Sequence, residues 1–300
     1  MKNLGLAAIA IAAMLWAVAA IVASELFAAG VQPFELAMAR TVVAAIGLSL
    51  LYQFGPTSLR SPPAKPLSHR WFEWRLVLLG FALAFVTVSY YVAIDRLAVA
   101  VALVIQYTAP ALVVALTALQ MRQWPAPTTI AAVIAAIVGV VLVSGVLSSQ
   151  LALNRLGLIA AGLSALFFAS YTVLSESVVH TYGAIGVMFR AFIVSSLFWI
   201  GFQTAQGMPT AVFAPANLPG ILFVGIGGTL IPFSLLCWGI QQVQASQASI
   251  AATLEPVIAA ALAWLWLGQT LDLAQIIGGI LILLAVVSLQ RRSMNEEKQG

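Results

Sequence analysis

The sequence predicts an all-α membrane protein: ten transmembrane helices in two inverted five-helix repeats, with both termini in the cytoplasm. The prediction rests on an apolar composition, on ten long apolar runs and on a sequence repeat across the midpoint. Of the 300 residues, 62% are hydrophobic and 7% are charged, whereas soluble domains are about 45–50% apolar and about 25% charged. So few charges cannot cover a surface in water, which excludes a soluble enzyme, a nucleic-acid-binding module and a disordered chain.

Ten apolar runs are long enough for membrane helices, each of which needs about 20 mostly apolar residues. Within a run the apolar residues are continuous and do not alternate as the wall of a membrane β-barrel requires. Short links such as residues 95–98 make the helices on either side antiparallel neighbours. The runs are roughly 4–23, 34–54, 76–94, 99–119, 129–147, 156–174, 185–203, 218–240, 246–267 and 274–289.

Lysine and arginine residues indicate the orientation, because short cytoplasmic loops retain them preferentially. With the N-terminus inside and ten crossings, nine of the thirteen fall on the cytoplasmic side. Arg96 and Arg155 fall outside, and Arg40 and Arg190 lie within or at the edge of spans. We therefore expect both termini to be cytoplasmic. The cytoplasmic nine are Lys2, Arg60, Lys65, Arg70, Arg75, Arg122, Arg291, Arg292 and Lys298.

The two halves of the chain resemble each other. Residues 24–40 and 175–190 both begin with Ser-Glu and end with Arg, at offsets of 150 to 151 residues. The Ala-Pro pair at 109–110 matches the Glu-Pro pair at 255–256, at an offset of 146 residues. Because each half holds an odd number of helices, five, the second enters the membrane from the opposite side.

The repeat defines two expected units, residues 1–150 and residues 151–300, the second ending in a short cytoplasmic tail. The first apolar run has a counterpart in the second unit and is longer than the core of a signal peptide. We therefore interpret it as a retained helix and not as a cleaved leader.

Particular segments resemble a known family. They are the Leu15-Trp16 pair, the Pro-Phe-Glu-Leu-Ala-Met-Ala-Arg sequence of residues 33–40, and Glu255-Pro256-Val257 followed by Leu267-Gly268-Gln269. With ten helices in inverted repeats, they resemble the drug/metabolite transporter superfamily in its ten-helix EamA-type branch. The resemblance covers residues 4–289. Within that branch the chain is similar to bacterial aromatic amino-acid exporters.

One position departs from the family pattern. Many members place a Glu or a basic residue after the Gly that follows the ninth helix, where this chain has Gln269-Thr270. No role for a charge at that place carries over.

Cofactor and metal chemistry are not expected. Cys237 lies within an apolar run, and His69 and His180 lie in polar connections. These residues provide no metal-ligand spacing and no base for a nucleophile. We predict neither a cofactor nor a catalytic group.

Charged residues within spans are candidate site residues, because charge in hydrocarbon is costly unless it is buried in protein or faces water. Glu255 has two open interpretations: it binds a substrate ammonium or a proton, or it caps the helix break at Pro256. For Arg40 and Arg190 we favour snorkelling to an interface or pairing with a carboxylate, with Glu35 as a partial partner of Arg40. Clamping of a substrate carboxylate is the alternative.

Aromatic, amide and hydroxyl groups complete the candidate binding set. The alternative for the rings is a role in the interfacial aromatic belt or in packing, and the alternative for the hydroxyls is close helix packing. Ser246, Ser249 and Thr253 share one face of the ninth helix, which then reaches Glu255. The predicted substrate-binding residues are Trp16, Gln106, Tyr107, Tyr171, Trp238, Ser246, Ser249, Thr253 and Glu255.

Three prolines are candidate hinges. Pro110 and Pro256 occupy matched positions in the fourth and ninth helices, and Pro232 follows the Gly-rich stretch 225–228 of the eighth. Each removes one helical hydrogen bond and clashes with the carbonyl four residues back. In a bilayer such breaks are tolerated beside protein or cavity water.

These observations predict a secondary transporter in the bacterial inner membrane that exports amino acids, with aromatic or hydrophobic side chains favoured, by alternating access. Its partners are the substrate and the lipid bilayer, and its oligomeric state is open. Sugar phosphates would require several convergent cations, which are missing from the spans. The alternatives are a transporter of another small metabolite or drug, an intramembrane lipid-acting enzyme, and a passive channel.

Overall fold

The computed structural model describes residues 2–54, 73–148, 154–207, 209–267 and 272–299. Within these ranges all regular secondary structure is helical. The predicted cytoplasmic positions Arg60, Lys65 and Arg70, and the Gly268-Gln269-Thr270 segment, lie outside the described residues.

The described residues form thirteen α-helices, with a π-helical turn at Ile226–Leu230 and short 3-10 turns at Val146–Ser148 and Ala211–Phe213. The helices are α1 (Lys2–Ala28), α2 (Pro33–Phe54), α3 (Trp74–Arg96), α4 (Val99–Gln106), α5 (Ala109–Met121), α6 (Pro127–Val143), α7 (Arg155–Tyr182), α8 (Ala184–Gln206), α9 (Leu218–Gly225), α10 (Ile231–Gln242), α11 (Ala245–Ala252), α12 (Leu254–Leu267) and α13 (Leu273–Gln299).

Eight stretches of the described chain are long and apolar enough to cross a membrane, and two shorter apolar helices accompany them. The protein is therefore a multi-pass helical membrane protein. The shorter two are Pro127–Val143 and Leu273–Ser288. Three of the eight combine consecutive helices: α4 with α5, α9 with α10, and α11 with α12.

The long helices extend past the apolar runs that predict them. The sixth run was expected to end near residue 174, whereas α7 continues to Tyr182. Asn154 starts this helix by accepting a hydrogen bond from the amide of Gly157, and Gly183, with φ of 68°, ends it. At α7 these caps and not hydrophobicity set the ends of the helix.

Helix breaks occur where the sequence predicts them. Between α4 and α5 the helix is interrupted at Tyr107 and Thr108, and Pro110 is the second residue of α5. Thr253 interrupts α11 and α12, three residues before Pro256. Proline has no amide hydrogen for the carbonyl four residues back, and its fixed φ suits the first turn of a new helix. The breaks themselves are thus explained, whereas a hinge motion stays a prediction.

The links into the two broken helices have similar backbone conformations. Leu97 and Ala98 join α3 to α4, with φ/ψ of −128°/159° and −57°/138°. Val243 and Gln244 join α10 to α11, with φ/ψ of −126°/175° and −80°/158°. The two links lie 146 residues apart, and each leads into a helix of 8 residues that ends at a break.

Four helix pairs make the most extensive contacts: α3 with α7, α6 with α13, α1 with α10, and α2 with α8. Close approach of α6 and α13 depends on Gly139 and Gly278. A Cβ added at Gly139 would lie 2.8 Å from the Gly278 carbonyl oxygen, and one added at Gly278 would lie 2.6 Å from that of Gly139. Small residues at such crossings let membrane helices pack backbone to backbone.

A central cavity lined by Arg40 and Glu255

A small cavity lies among the helices at the centre of the bundle. Its wall is built from α1, α2, α3, α7, α10 and α12, from the end of α4 with the α4–α5 break, and from the π-helical turn that leads into α10. The lining residues are Trp16, Ala19, Ala20, Arg40, Val86, Thr87, Tyr90, Tyr91, Gln106, Tyr107, Phe168, Gly228, Phe233 and Glu255.

Arg40 is the cation of this cavity and is 5% exposed. Its Nη1 donates to the hydroxyl of Tyr91 at 3.0 Å, and its Nη2 donates to the carbonyl of Gly228 at 3.4 Å. Pro232 lies four residues after Gly228 and has no amide hydrogen to donate to that carbonyl. The guanidinium carbon lies 5.4 Å from the centres of the Tyr91 and Phe233 rings, an arrangement that favours a cation.

The prediction that Glu35 is a partial partner of Arg40 is wrong. Glu35 accepts a hydrogen bond from the amide of Gln32, at the start of its own helix. None of the described carboxylates forms an ion pair with Arg40. The side chain does not snorkel to an interface but ends in the cavity, where it bonds to Tyr91 of α3 and to Gly228 of the π-helical turn.

Glu255 is the carboxyl group of the cavity and is 6% exposed. Its Oε2 accepts a hydrogen bond of 2.5 Å from the hydroxyl of Tyr107. The two residues lie at the two helix breaks, so the bond joins α12 to the turn between α4 and α5. Among the described residues no cation pairs with Glu255, and burial of an unpaired carboxylate is costly.

Three polar atoms on the cavity wall have no hydrogen-bond partner among the described residues. They are the Tyr90 hydroxyl, Oε1 of Gln106 and Nε of Arg40. Buried polar atoms in native proteins are nearly always satisfied. These three atoms are therefore candidates for bonds to a bound molecule.

Aromatic rings form the apolar part of the wall. Trp16 contacts Phe168 and Phe233 edge to face, with ring centres 6.2 and 5.2 Å apart. Edge and face contacts of this kind also suit an apolar or aromatic substrate side chain. The cavity measures about 60 Å³, which is room for a few water molecules. An aromatic amino acid requires the cavity to widen.

Two aromatic residues of the predicted binding set lie outside the cavity in this conformation. Tyr171 packs behind Phe233, with ring centres 5.4 Å apart, and donates to the Phe233 carbonyl at 3.2 Å. Trp238 is half-buried against the main apolar core and does not line the cavity. Their role as substrate contacts stays a prediction.

The hydroxyl groups of the ninth span do not reach the cavity. Ser249 donates to the carbonyl of Ser246 at 3.0 Å, and Thr253 donates to that of Ile250 at 2.6 Å. Ser246 instead lines a polar cleft of about 190 Å³ where α5 ends and α11 begins. Of Ser246, Ser249, Thr253 and Glu255, which were predicted to bind substrate together, Glu255 alone lines the cavity.

Arg190, the predicted counterpart of Arg40, belongs to a second polar cluster. Its Nη1 donates to the Gly186 carbonyl at 2.8 Å, and its guanidinium lies 5.0 Å from the ring centre of Tyr182. The Tyr182 hydroxyl donates to Oε2 of Glu73 at 2.6 Å, which links the end of α7 to the residue before α3.

Comparison with known proteins identifies the family. The family model described as the EamA-like transporter family matches residues 3–145 and again residues 155–290. The chain belongs to the EamA-like transporter family. Both halves of the chain therefore match the same family model.

Individual relatives agree with this membership. The chain is 28% identical over 198 residues to the uncharacterized transporter YcbK of Bacillus subtilis (strain 168), a match that covers 63% of each chain. It is 29% identical over 203 residues to the uncharacterized inner membrane transporter YicL of Salmonella typhimurium, covering 67% of each. An uncharacterized transporter of Archaeoglobus fulgidus is 29% identical over 214 residues, covering 70% of this chain and 74% of the relative. The match to YcbK thus spans less than two thirds of that relative.

A solved crystal structure has the same fold. It superposes with a TM-score of 0.74 at 19% sequence identity, over 99% of this chain and 100% of the other. At this identity the similarity concerns the fold alone.

In this member of the EamA-like transporter family, four of the predicted binding residues line the cavity: Trp16, Gln106, Tyr107 and Glu255. Tyr90, Tyr91, Phe168 and Phe233 also line it without being in the predicted set, and Arg40 lies in the cavity and not at the predicted interface. A charge within a span was the available signal for Arg40. The aromatic residues gave no such signal, because rings are common throughout the spans.

Proposed function

We propose that the protein is a secondary transporter that exports amino acids, preferentially those with aromatic or hydrophobic side chains, across the bacterial inner membrane. The observation that carries this proposal is that Arg40 and Glu255 both line one cavity, whose wall is otherwise largely apolar and aromatic. Neither charge has an ionic partner among the described residues.

An α-amino acid matches these two groups. Its carboxylate accepts hydrogen bonds from a guanidinium, and its ammonium donates to a carboxylate. A molecule that carries both charges satisfies both side chains at once, which lowers the cost of burying them. A singly charged substrate leaves one of the two unpaired.

The remaining wall favours an apolar side chain. Trp16, Phe168 and Phe233 offer ring edges and faces, whereas one cation in the cavity is too few for a phosphorylated substrate. The unpartnered Tyr90 hydroxyl and Gln106 oxygen provide further bonds to the polar end of the substrate.

Inverted repeats and alternating access are part of the proposal. If residues 1–150 and 151–300 are equivalent, α1 corresponds to α7 and α3 to α9 and α10. Exchange of the halves then converts the α1–α10 contact into the α7–α3 contact, and both are among the most extensive. The family model matches the chain twice, once in each half, and the links before α4 and α11 are similar. Both observations support the same symmetry.

The proposed orientation has both termini in the cytoplasm. It is tested by labelling single cysteines from outside intact cells, in a variant with Cys237 replaced by Ala. We expect Ala214→Cys, in the connection between α8 and α9, to react, and Lys65→Cys to be protected. The reverse result would contradict the orientation.

Counterflow in proteoliposomes tests the function. Vesicles with purified protein are loaded with one unlabelled compound, and uptake of labelled phenylalanine is followed. We expect loading with phenylalanine, tryptophan or leucine to drive uptake, and loading with a sugar phosphate to be without effect. Exchange of other metabolites without exchange of any amino acid would overturn the proposal.

A further inference from the structure

A carboxylate caps the start of α11. Oε1 of Glu176, near the end of α7, accepts a hydrogen bond of 3.1 Å from the amide of Ala245, the first residue of α11. The first amides of a helix lack partners within the helix, and the helix dipole favours a negative charge there. Glu176 therefore attaches α7 to the start of a broken helix.

The corresponding carboxylate in the first half of the chain is free. Glu25 lies near the end of α1 and follows Ser24, as Glu176 follows Ser175. Its side chain is exposed and forms no hydrogen bond to any described residue. The first residue of α4 is Val99, which lies 146 residues before Ala245, and the side chain of the preceding Ala98 does not cap the helix.

The helices α11 and α4 also differ in how they pack against their neighbours. In the part of the chain that the structure describes, α11 packs against α7, whereas α4 makes no comparable contact with α1. The links into α4 and α11 nevertheless have nearly the same backbone angles. The asymmetry thus concerns how each broken helix meets its neighbour and not how it is built.

We propose that Glu25 and Glu176 are alternate latches of the transport cycle. In this conformation the Glu176 latch holds α11 and closes one end of the bundle, while the Glu25 latch is released. In the opposite conformation Glu25 accepts a hydrogen bond from the Val99 amide, and Glu176 releases Ala245. This inference rests on the proposed transport function only through the assumption that the protein alternates between two states.

The two latches are expected to have opposite effects on the balance of states. Removal of the Glu176 carboxylate destabilises the present conformation, because the Ala245 amide loses its cap. Removal of the Glu25 carboxylate destabilises the other conformation and leaves the present one unchanged. The sign of the effect, and not its size, distinguishes latches from residues that only support the fold.

Accessibility of a cavity residue measures this balance. The background variant carries Cys237→Ala and Ala20→Cys, since Ala20 lines the cavity. Its reaction with a membrane-impermeant maleimide is followed from each side, in intact cells and in inverted vesicles. We expect Glu176→Ala to change the ratio of the two rates severalfold in one direction and Glu25→Ala to change it in the other. The opposite signs hold whichever side the termini occupy.

Two further variants control for the fold. Glu176→Gln keeps an oxygen that accepts the Ala245 hydrogen bond, so its shift should be smaller than that of Glu176→Ala. Glu35→Ala removes a carboxylate that bonds only within the start of its own helix, and the ratio should not change. Shifts of the same sign for Glu25→Ala and Glu176→Ala, or no shift in either, would overturn the latches.

The labelling shifts, taken together with the counterflow result, separate the latch proposal from the proposed substrate. Opposite shifts without amino-acid counterflow would retain the latches and reject the substrate. Amino-acid counterflow with shifts of equal sign would retain the substrate and reject the latches.

Discussion

The hydroxyl of Tyr107 and Oε2 of Glu255 are joined by a hydrogen bond of 2.5 Å. Tyr107 is the residue at which α4 breaks, and Glu255 is the second residue after the break between α11 and α12. The bond therefore couples two helix breaks across the central cavity. In the proposed function, a substrate ammonium at Glu255 would compete with or join this bond and so act on both broken helices.

Replacing Tyr107 with Phe should destabilise the protein. The change removes the hydroxyl donor and leaves a buried carboxyl group without its partner, which costs about 1–3 kcal/mol. We expect a lower melting temperature in detergent. Tyr90→Phe is the matched control, because the Tyr90 hydroxyl has no partner among the described residues. Equal melting temperatures for the two variants would contradict the importance of the bond.

The two tryptophans, Trp16 and Trp238, should differ in their effect on transport. Both pack against the same apolar core, but Trp16 lines the cavity and Trp238 does not. We expect Trp16→Ala to raise the KM for phenylalanine by about tenfold, in keeping with the loss of one aromatic contact and its buried area. Trp238→Ala should mainly lower thermal stability. The prediction is wrong if Trp238→Ala raises KM as much as Trp16→Ala at equal amounts of folded protein.

The helix breaks could be predicted from the sequence and the contacts of Arg40 could not. Pro110 and Pro256 act on the backbone within four residues, so a local pattern suffices. Arg40 bonds to Tyr91 and Gly228, which lie 51 and 188 positions away along the chain. Such contacts depend on helix packing. The local span alone favours snorkelling, because an arginine among apolar residues then reaches water most easily at an interface.

The hydroxyl residues of the ninth span show a related limit. Helical spacing predicts Ser246, Ser249 and Thr253 on one face, but spacing does not reveal which group accepts the hydrogen of each hydroxyl. Ser249 and Thr253 donate to carbonyls of their own helix. Such local bonds are always available to Ser and Thr in helices, so they compete with any ligand.

Pro110 and Pro256 are predicted to be hinges. Replacement by Ala provides an amide hydrogen and removes the ring clash, so the broken helices should tend to straighten. We expect Pro110→Ala and Pro256→Ala to fold normally and to slow counterflow severalfold. Pro127→Ala is the control, because Pro127 is the first residue of α6 and no break lies there. Wild-type rates for both hinge variants at normal expression would contradict the prediction.

Gly139 should tolerate no larger side chain. Its backbone lies against that of Gly278, and Gly139→Val forces α6 and α13 apart, at a cost of about 1–3 kcal/mol for overpacking. A clear fall in melting temperature is expected. Gly162→Val is the control, since no atom lies within 4 Å of a Cβ added at Gly162. Equal stability of the two variants would argue against tight packing of α6 on α13.

The central claim, that Arg40 and Glu255 bind the two charges of an amino acid, is tested most directly by a binding cycle. Affinities for phenylalanine, phenethylamine and 3-phenylpropionate are measured for the wild type, Arg40→Ala and Glu255→Gln. We predict that wild type prefers phenylalanine by at least about tenfold, since a hydrogen bond to a charged group contributes about 1.5–3 kcal/mol. Arg40→Ala should lose the preference over phenethylamine, which lacks the carboxylate, and Glu255→Gln the preference over 3-phenylpropionate, which lacks the ammonium. Equal weakening of all three ligands in both variants would show no coupling between side chain and substrate charge, and would contradict the account.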